Sequence, residues 1–525
     1  MYLVLNLLTL STTMYLKLKI TFIITLFLNP QLCWSQTPNP RHADDLFKAG
    51  NFLGAIPEYK KQLKLDPKSE KTLTNLALCY LNSNINKSAA IKYLERAKDL
   101  EKQDQEILYY LALAYTHANN YKKAIETLKE YQKDPGKHIG EIPNLIENCT
   151  IAIDMISKPI NVSFENMGRF INSEFPDYHP FVTKDEKTLV FTSRRKEGKG
   201  SIEFDGYYPS DVYVCSFDGL KFSGSKNAGS LNTVYDEQCV GICDDGAKIF
   251  VYIDNFATGE KGNIYEAERK GPNYSKKKKI QEGVNTKYFE TSSSISSDGT
   301  AFIYASNRSG GAGGLDIYMT KQLPDGIWAT PQNLSTINTP QNEDFPTLSP
   351  DGKTLYFCSN GHTGMGGYDL YKSKWDNENK EWGDPENLGY PLNTSYDEKN
   401  ISFADDEKHA YITAVREEGF GDLDLYRITF EDIEVREALY TVEIKDLVSN
   451  AKVEGGVITA FIDNIDDPRI FISNKNTGEI TMILDPGTYE LEIEADGYKL
   501  NIVKLVVSEF DADKGEIKKL FKLSK

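Results

Sequence analysis

Two glycine-rich stretches, RSGGAGGLD at 308–316 and GHTGMGGYD at 361–369, have the composition of loops that wrap backbone N–H groups around a phosphate. A phosphate loop also opens a helix and ends in Lys-Ser or Lys-Thr, which meet the phosphate and its metal. Both stretches lead instead into strand-like sequence, so flexible inter-strand loops are expected. The six histidines, His42, His117, His138, His179, His362 and His409, lie in no HExxH and beside no cysteine pair, so no zinc centre is expected. After Cys33 come Cys79, Cys149, Cys215, Cys239, Cys243 and Cys358, without CxxC pairs or dense spacing. Free, mostly buried thiols are expected rather than a disulfide framework. No GxSxG elbow is present to expose a nucleophilic serine. The 77 Asp and Glu residues could supply paired carboxylates, but the candidates recur in register: Asp298 and Asp351 at one point of a repeating pattern, Asp316, Asp369 and Asp424 at another. Recurrence in register marks a framework role, because an aspartate at a turn accepts backbone hydrogen bonds. No catalytic, cofactor-binding or metal-binding residue is assigned, and the chain is expected not to be an enzyme.

Helical sequence comes first. Residues 43–131 repeat at about 34 residues, the period of helix-turn-helix solenoids. Ile56, Ile91 and Ile125 each follow an alanine, Ala55, Ala90 and Ala124, and LALCY at 76–80 matches LALAY at 111–115. Small Ala77 and Ala112 would let paired helices approach closely. Three repeats are visible, the first lacking a typical opening helix and the second carrying one extra residue. A further amphipathic helix, roughly Gly140 to Ser157, would cap the stack. The pattern, with Pro67 at its helix-ending position, resembles the tetratricopeptide repeat. That resemblance implies a groove for a peptide or another protein, or else a spacer or packing platform; neither use implies chemistry.

From about Ile160 the period changes to two. TKDEKTLVFTSRR, CDDGAKIFVYID, SSDGTAFIYASNR, SPDGKTLYFCSN and ADDEKHAYITAVR start at 183, 243, 296, 349 and 404, each with an acidic turn before alternating residues. An Asp/Asn-x-Tyr marker follows in every copy, its tyrosines Tyr213, Tyr265, Tyr318, Tyr371 and Tyr426 lying 52, 53, 53 and 55 residues apart. An Asn-Ser or Asn-Thr marker precedes each turn at Asn172, Asn232, Asn285, Asn338 and Asn393. Each copy should hold four strands, the last near Trp328 to Leu334 or Trp382 to Leu388. Four-stranded sheets repeated in sequence are the blades of a β-propeller, which hides strand edges by closing into a ring. Five blades are expected, or six if a degenerate copy hides in a long loop. Closure requires NVSFENMG at 161–168 to complete the final blade, whose own copy stops after Tyr426-Arg-Ile-Thr-Phe.

SPDGKTLYF and SSDGTAFIYASNR resemble WD-type repeats of the TolB-like propeller kind. Related propellers gate a hydrolase domain in some serine peptidases, but no strand-helix region is present here to hold one. INSEFPDYHPFVTKDEKTLVFTSRR and SNGHTGMGGYDLYKS look like the propeller of envelope proteins in which tetratricopeptide repeats, propeller and a carboxypeptidase-regulatory-like domain precede an OmpA-like domain. Some members of that family belong to type IX secretion and tether it to peptidoglycan. No OmpA-like segment follows Lys525, so direct peptidoglycan binding is not carried over. From about Ala438, DPGTYELEIEADGY at 485–498 resembles the regulatory-like β-sandwich, with Asp485-Pro486-Gly487 as a turn and Tyr489, Leu491 and Ile493 facing the core. DADKGE at 511–516 lacks the Asp-Gly order of a calcium loop, and a solvated turn is expected.

The amino-terminal MYLKLKITFIITLFLNPQLCWSQ, opening at Met14, has a basic start at Lys17 and Lys19 and a short apolar run from Ile20 to Leu28. That run is well short of the roughly 20 residues that span a bilayer, so a removed signal peptide is expected. Lipid attachment at Cys33 is the competing expectation, although NPQLC lacks the small residues of a lipoprotein signal. Removing Lys17 and Lys19 takes the formal charge from -17 to -19. Such acidity argues against nucleic acid and an anionic membrane surface as partners. The KKKK run at 276–279 is expected to be a solvated loop. The expected organisation is thus a signal peptide at 1–35, tetratricopeptide-like helices at 40–158, a five-bladed β-propeller at 160–432 and a β-sandwich at 438–525. The function this implies is a non-enzymatic scaffold binding protein partners in the periplasm or at the outer membrane. The alternative is a propeller that binds a glycan or peptide ligand.

Overall fold

The computed structural model describes residues 40–525 apart from 101–103, 218–221, 256–259, 272, 282, 350, 405–407, 432–437, 463–467, 485–486, 508–510 and 512–514. The expected signal peptide and Cys33 lie outside the described residues, as do residues 512–514 of the DADKGE segment and residues 485–486 of the expected turn. The chain divides into two compact units that part after Glu431. Among the described residues, no helix is long and apolar enough to cross a membrane.

The first unit begins with helices Pro40–Lys48 (α1), Phe52–Leu65 (α2), Glu70–Leu81 (α3), Ile91–Lys98 (α4), Glu106–His117 (α5), Tyr121–Tyr131 (α6) and Ile142–Ser157 (α7). Asn51 and Ser69 cap α2 and α3 by accepting the N–H groups of Gly54 and Thr72, which would otherwise be orphaned at the helix start. The five alanines singled out by the repeat are all buried, and the isoleucines after them pack on the same core. Each helix pair therefore meets through methyl-sized contacts. One correction concerns the first repeat: it does open on a helix, α1, whose nine residues are fewer than the twelve of α3 or α5.

Five antiparallel sheets follow. The first runs through Asp177–Val182, Thr188–Ser193, Asp211–Ser216 and Lys226–Asn227, and the next three repeat that order from Asp236–Ile242, Glu290–Ile295 and Glu343–Leu348. The fifth contains Ile401–Phe403, His409–Ala414 and Asp424–Phe430, and its fourth strand is Val162–Asn166, paired Val162 to Phe430 through Asn166 to Tyr426. Neighbouring sheets touch through their first and second strands. Thr192 Oγ1 accepts from Cys239 N at 2.9 Å, Val240 O from Ser293 Oγ at 3.4 Å and Ser292 Oγ from Phe345 N at 2.9 Å. The Tyr356 and Phe403 rings lie 4.4 Å apart, and Ser402 Oγ accepts from Val182 N at 3.0 Å, which brings the fifth sheet back to the first. The fourth strands are shorter than expected. In the third sheet only Gln332–Asn333 pairs, and Trp328 contributes an isolated bridge to Gln322.

The repeated turns and markers have physical reasons. At the turn SPDGK, Asp351 Oδ1 accepts from Ser349 Oγ at 2.6 Å and Lys353 N at 2.9 Å, and Gly352 takes the positive φ of 70° that closes the corner. Asp298 repeats the arrangement with Ser296 and Thr300. Each marker asparagine uses its amide as a substitute strand. Asn393 Oδ1 accepts from Leu370 N at 2.7 Å while its Nδ2 donates to Leu370 O at 2.9 Å. Asn172, Asn232, Asn285 and Asn338 do the same with Leu425, Val212, Ile264 and Ile317. The KKKK run is not a solvated loop throughout. Lys278–Lys279 pairs with Glu266 and Tyr265, and Lys277 is half-buried on Glu237 at 2.9 Å.

The second unit contains a three-stranded sheet in the order Ile480–Leu484, Ala438–Asp446, Glu516–Leu523 and a four-stranded sheet in the order Arg469–Ile472, Val457–Ile462, Gly487–Glu494, Asn501–Val507. Both contribute to one core that includes Tyr440, Ile444, Ile458, Met482 and the predicted trio Tyr489, Leu491 and Ile493.

Two outcomes are expected. Asn393→Ala leaves the Leu370 N–H unpaired in a fully buried site, its C=O keeping Leu388 N, and should cost about 2 kcal/mol, read from denaturant unfolding of the full chain. Residues 432–525, which own a separate core, should fold alone with a single cooperative melt; a featureless near-ultraviolet spectrum would contradict this.

Candidate functional site

The reactive-looking groups of the sheets prove to be engaged by the chain itself, although one oxygen of Asp211, Asp316, Asp369 and Asp424 is buried without a partner. The glycine-rich loops do wrap N–H groups around an anion, and the anion is the aspartate at the start of the next strand. Asp369 Oδ2 accepts from Met365 N at 2.8 Å and Gly366 N at 3.1 Å, and Asp316 Oδ2 accepts from Ala312 N at 2.8 Å. Asp424 holds Phe420 N at 2.7 Å in the same way. A Cβ on Gly364 would run into the Asp369 carboxylate, which is why that loop needs glycine. Burial raises these carboxyls: Asp211 to about 6, Asp369 to about 7, and Asp316 and Asp424 in the same direction.

A second set of carboxylates escaped the sequence reading. Glu237, Glu290, Glu343 and Glu398 each receive the N–H and hydroxyl of a threonine four residues earlier, as Glu343 does from Thr339 at 2.7 Å for both bonds. In the first sheet Ser173 and Asp177 take these places. Cations reach three of the five: Arg195 pairs with Asp177, Lys277 with Glu237 and Arg308 with Glu290. The signal was a Thr-x-x-x-Glu spacing placed directly after four of the marker asparagines, with Ser-x-x-x-Asp after Asn172.

The histidines scatter in space as they do in sequence, with one exception. His138 stacks on Tyr109 at 3.9 Å, and His362 bonds to Ile337 O at 2.7 Å. His117 and His179, however, line one cavity of about 730 Å³ enclosed between the helical repeats and the sheets. The helical region contributes Asn84, Lys87, Thr116 and His117; the sheet region contributes Tyr178, His179, Arg194, Tyr207, Ser395, Lys399 and Asp422.

Direct contacts fix this junction. Asn84 Nδ2 donates to Asp422 Oδ1 at 2.7 Å, His117 Nδ1 lies 3.2 Å from Ser395 Oγ, and the Asp422 carboxylate also receives the Tyr207 hydroxyl. Met365, from the glycine-rich loop of the fourth sheet, is buried in the core of the helices, and Tyr390 packs beside it. The helical array is therefore seated on the sheets through an apolar plug ringed by hydrogen bonds.

Among the described residues no cluster of His, Cys, Asp and Glu is arranged to hold a metal. The six described cysteines are free. Burial pushes the Cys79, Cys215 and Cys239 thiols up to about 12, so they are protonated and poorly nucleophilic at neutral pH.

Burial first, and then the charge of Lys87, lower His117 to about 3. A depressed folded-state value means that the unfolded chain takes up the proton first. The stability that His117 contributes is full above pH 6.5 and is lost as pH falls toward 3. Relative to wild type, His117→Gln should therefore gain on the order of 2 kcal/mol of stability between pH 7 and pH 4. A pH-independent difference in unfolding free energy would show that His117 is not held neutral at the junction.

Comparison with known proteins supports the helical assignment. A family model described as tetratricopeptide repeat matches residues 41–104, and one described as anaphase-promoting complex, cyclosome, subunit 3 matches residues 83–156. No curated protein matches. Solved structures similar to this chain include TolB from Acinetobacter baumannii, at 17% identity over 49% of this chain and 55% of that one, TM-score 0.32. The chain thus spans about half the length of that TolB. A glycoside hydrolase is similar at 8% identity, 54% and 95% coverage and TM-score 0.37. A GH43_1 enzyme from Xanthomonas citri is similar at 10% identity, 53% and 92% coverage and TM-score 0.33. The amino-terminal region is a tetratricopeptide-repeat region followed by a large β-sheet-rich region.

Proposed function

We propose that this protein is a non-enzymatic scaffold that gathers protein partners in the periplasm or at the periplasmic face of the outer membrane, in envelope assembly or type IX secretion. In this reading the five sheets are the blades of a TolB-like propeller, and the second unit is a carboxypeptidase-regulatory-like β-sandwich. Tetratricopeptide repeats indicate protein–protein interaction. The observation that carries the proposal is the mutual partnering of the recurrent polar groups: the marker asparagines bond to the backbone, the threonines after them bond to the glutamates, and the glycine loops close on one oxygen of their aspartates. A surface built this way presents shape and rigid spacing. The array keeps exposed apolar side chains for a partner, including Leu65 at 71% and Ile153 at 38% exposure.

Affinity capture of the full chain from envelope fractions after crosslinking should recover a reproducible protein partner. Leu65→Glu with Ile153→Glu should weaken that recovery by roughly tenfold or more without lowering the melting temperature. Consistent recovery as a lone, freely soluble monomer would overturn the proposal.

A further inference from the structure

The wall of the cavity between the repeats and the sheets includes a histidine with a buried ring nitrogen that the described chain does not satisfy. His179 is 8% exposed, and its Nδ1 has no hydrogen-bond partner. A buried nitrogen left unpaired is destabilising. The residue also has a positive φ of 52°, a left-handed conformation uncommon for a residue with a side chain. It is held there by Thr413 Oγ1, which accepts from His179 N at 3.1 Å, and by the Phe345 and Tyr178 rings at 4.2 and 4.6 Å.

Lys399 lines the same cavity, with its ammonium 5.1 Å above the Tyr368 ring and no ion pair among the described residues. The other charges of the wall are engaged. Arg194 bonds Glu203 and Asp205, Lys87 bonds Leu81 O, Asp422 bonds Asn84 and Tyr207, and the exposed Asp397 accepts from Tyr368 N. Burial, and then the Lys399 charge, keep the His179 imidazole neutral. It therefore offers one N–H and one lone pair in the wall that also carries Lys399, whose charge acts on the buried Asp344 carboxyl as well.

We propose that this cavity binds an organic carboxylate, its acid group seated between Lys399 and His179. A carboxylate accepts from both groups at once, and an ammonium-to-carboxylate hydrogen bond is about twice as strong as a neutral one. The volume of about 730 Å³ falls within the roughly 300–1,000 Å³ typical of small-molecule sites, so the acid carries a body comparable to a tripeptide or an acidic disaccharide. Gln238, Tyr178 and Ser395 supply polar contacts to that body, and Leu113 and Leu145 apolar ones. Bound there, the ligand would touch helices and sheets together. This site does not depend on the scaffold reading.

The test is calorimetric titration of the full chain with trialanine against trialanine amide, and with digalacturonate against its dimethyl ester. At least one free acid should bind while its neutral counterpart does not, and the pair that responds tells a peptide terminus from a sugar acid. Lys399→Met should weaken that binding at least tenfold with an unchanged melting temperature, and Lys399→Arg should retain it. Should Lys399→Met fail to fold, His179→Gln decides by the same tenfold criterion. The proposal is overturned if neither acid binds, if the neutral compounds bind equally well, or if the decisive variant binds as wild type does.

Discussion

The amide of a buried asparagine, bonded to both backbone groups of a residue in the preceding sheet, ties each of the five sheets of the first unit to the segment entering the next. A buried amide left without partners is costly, so the contact acts as a clamp rather than an ornament. Around it the other recurrent groups fall into place. The threonine after the asparagine supplies two donors to a carboxylate at the start of the next sheet, and a cation covers that carboxylate in three of five cases. The glycine-rich loops close over the aspartate beside the clamp. Five repetitions of this network hold the sheets at fixed spacing, with their apolar faces packed between them.

Much of this was legible because it is periodic. Each repeat solves the same packing problem, so Asp351 and Asp298, or Asn338 and Asn393, occupy equivalent places and the pattern survives in the sequence. The glycine loops were half understood: their place between strands was clear, but a loop that binds its own aspartate is indistinguishable by composition from one that is merely flexible. The glutamates of the Thr-x-x-x-Glu spacing were hidden by abundance, since acidic residues occur throughout. The cavity was illegible for a different reason. It joins Asn84 to Asp422 and His117 to Ser395, residues roughly 300 positions apart, and no local pattern encodes such a meeting. Only Met365 gave a hint, as an apolar residue in an otherwise polar glycine loop.

The seat of the helical array changes what its repeats are for. One side of the array is committed to the sheets through Met365, Tyr390 and the polar ring around them. The packing-platform use foreseen for three repeats is therefore realised, while the exposed apolar residues on other faces keep the interaction use available. His117 and His179 stand on opposite walls of the resulting enclosure, both held neutral by burial next to a lysine.

The strand Val162–Asn166 follows the last helix directly, yet its hydrogen-bond partners are Tyr426 to Phe430. During synthesis the helices emerge first and can pack early, because their contacts are local. The strand that follows them must wait, its edge unpaired, until some 260 further residues have left the ribosome. Long-range pairing of this kind is slow and leaves an adhesive edge exposed in the interval. An export route that keeps the chain unfolded until crossing is complete would spare this protein that interval, because both strands would then reach the folding compartment together.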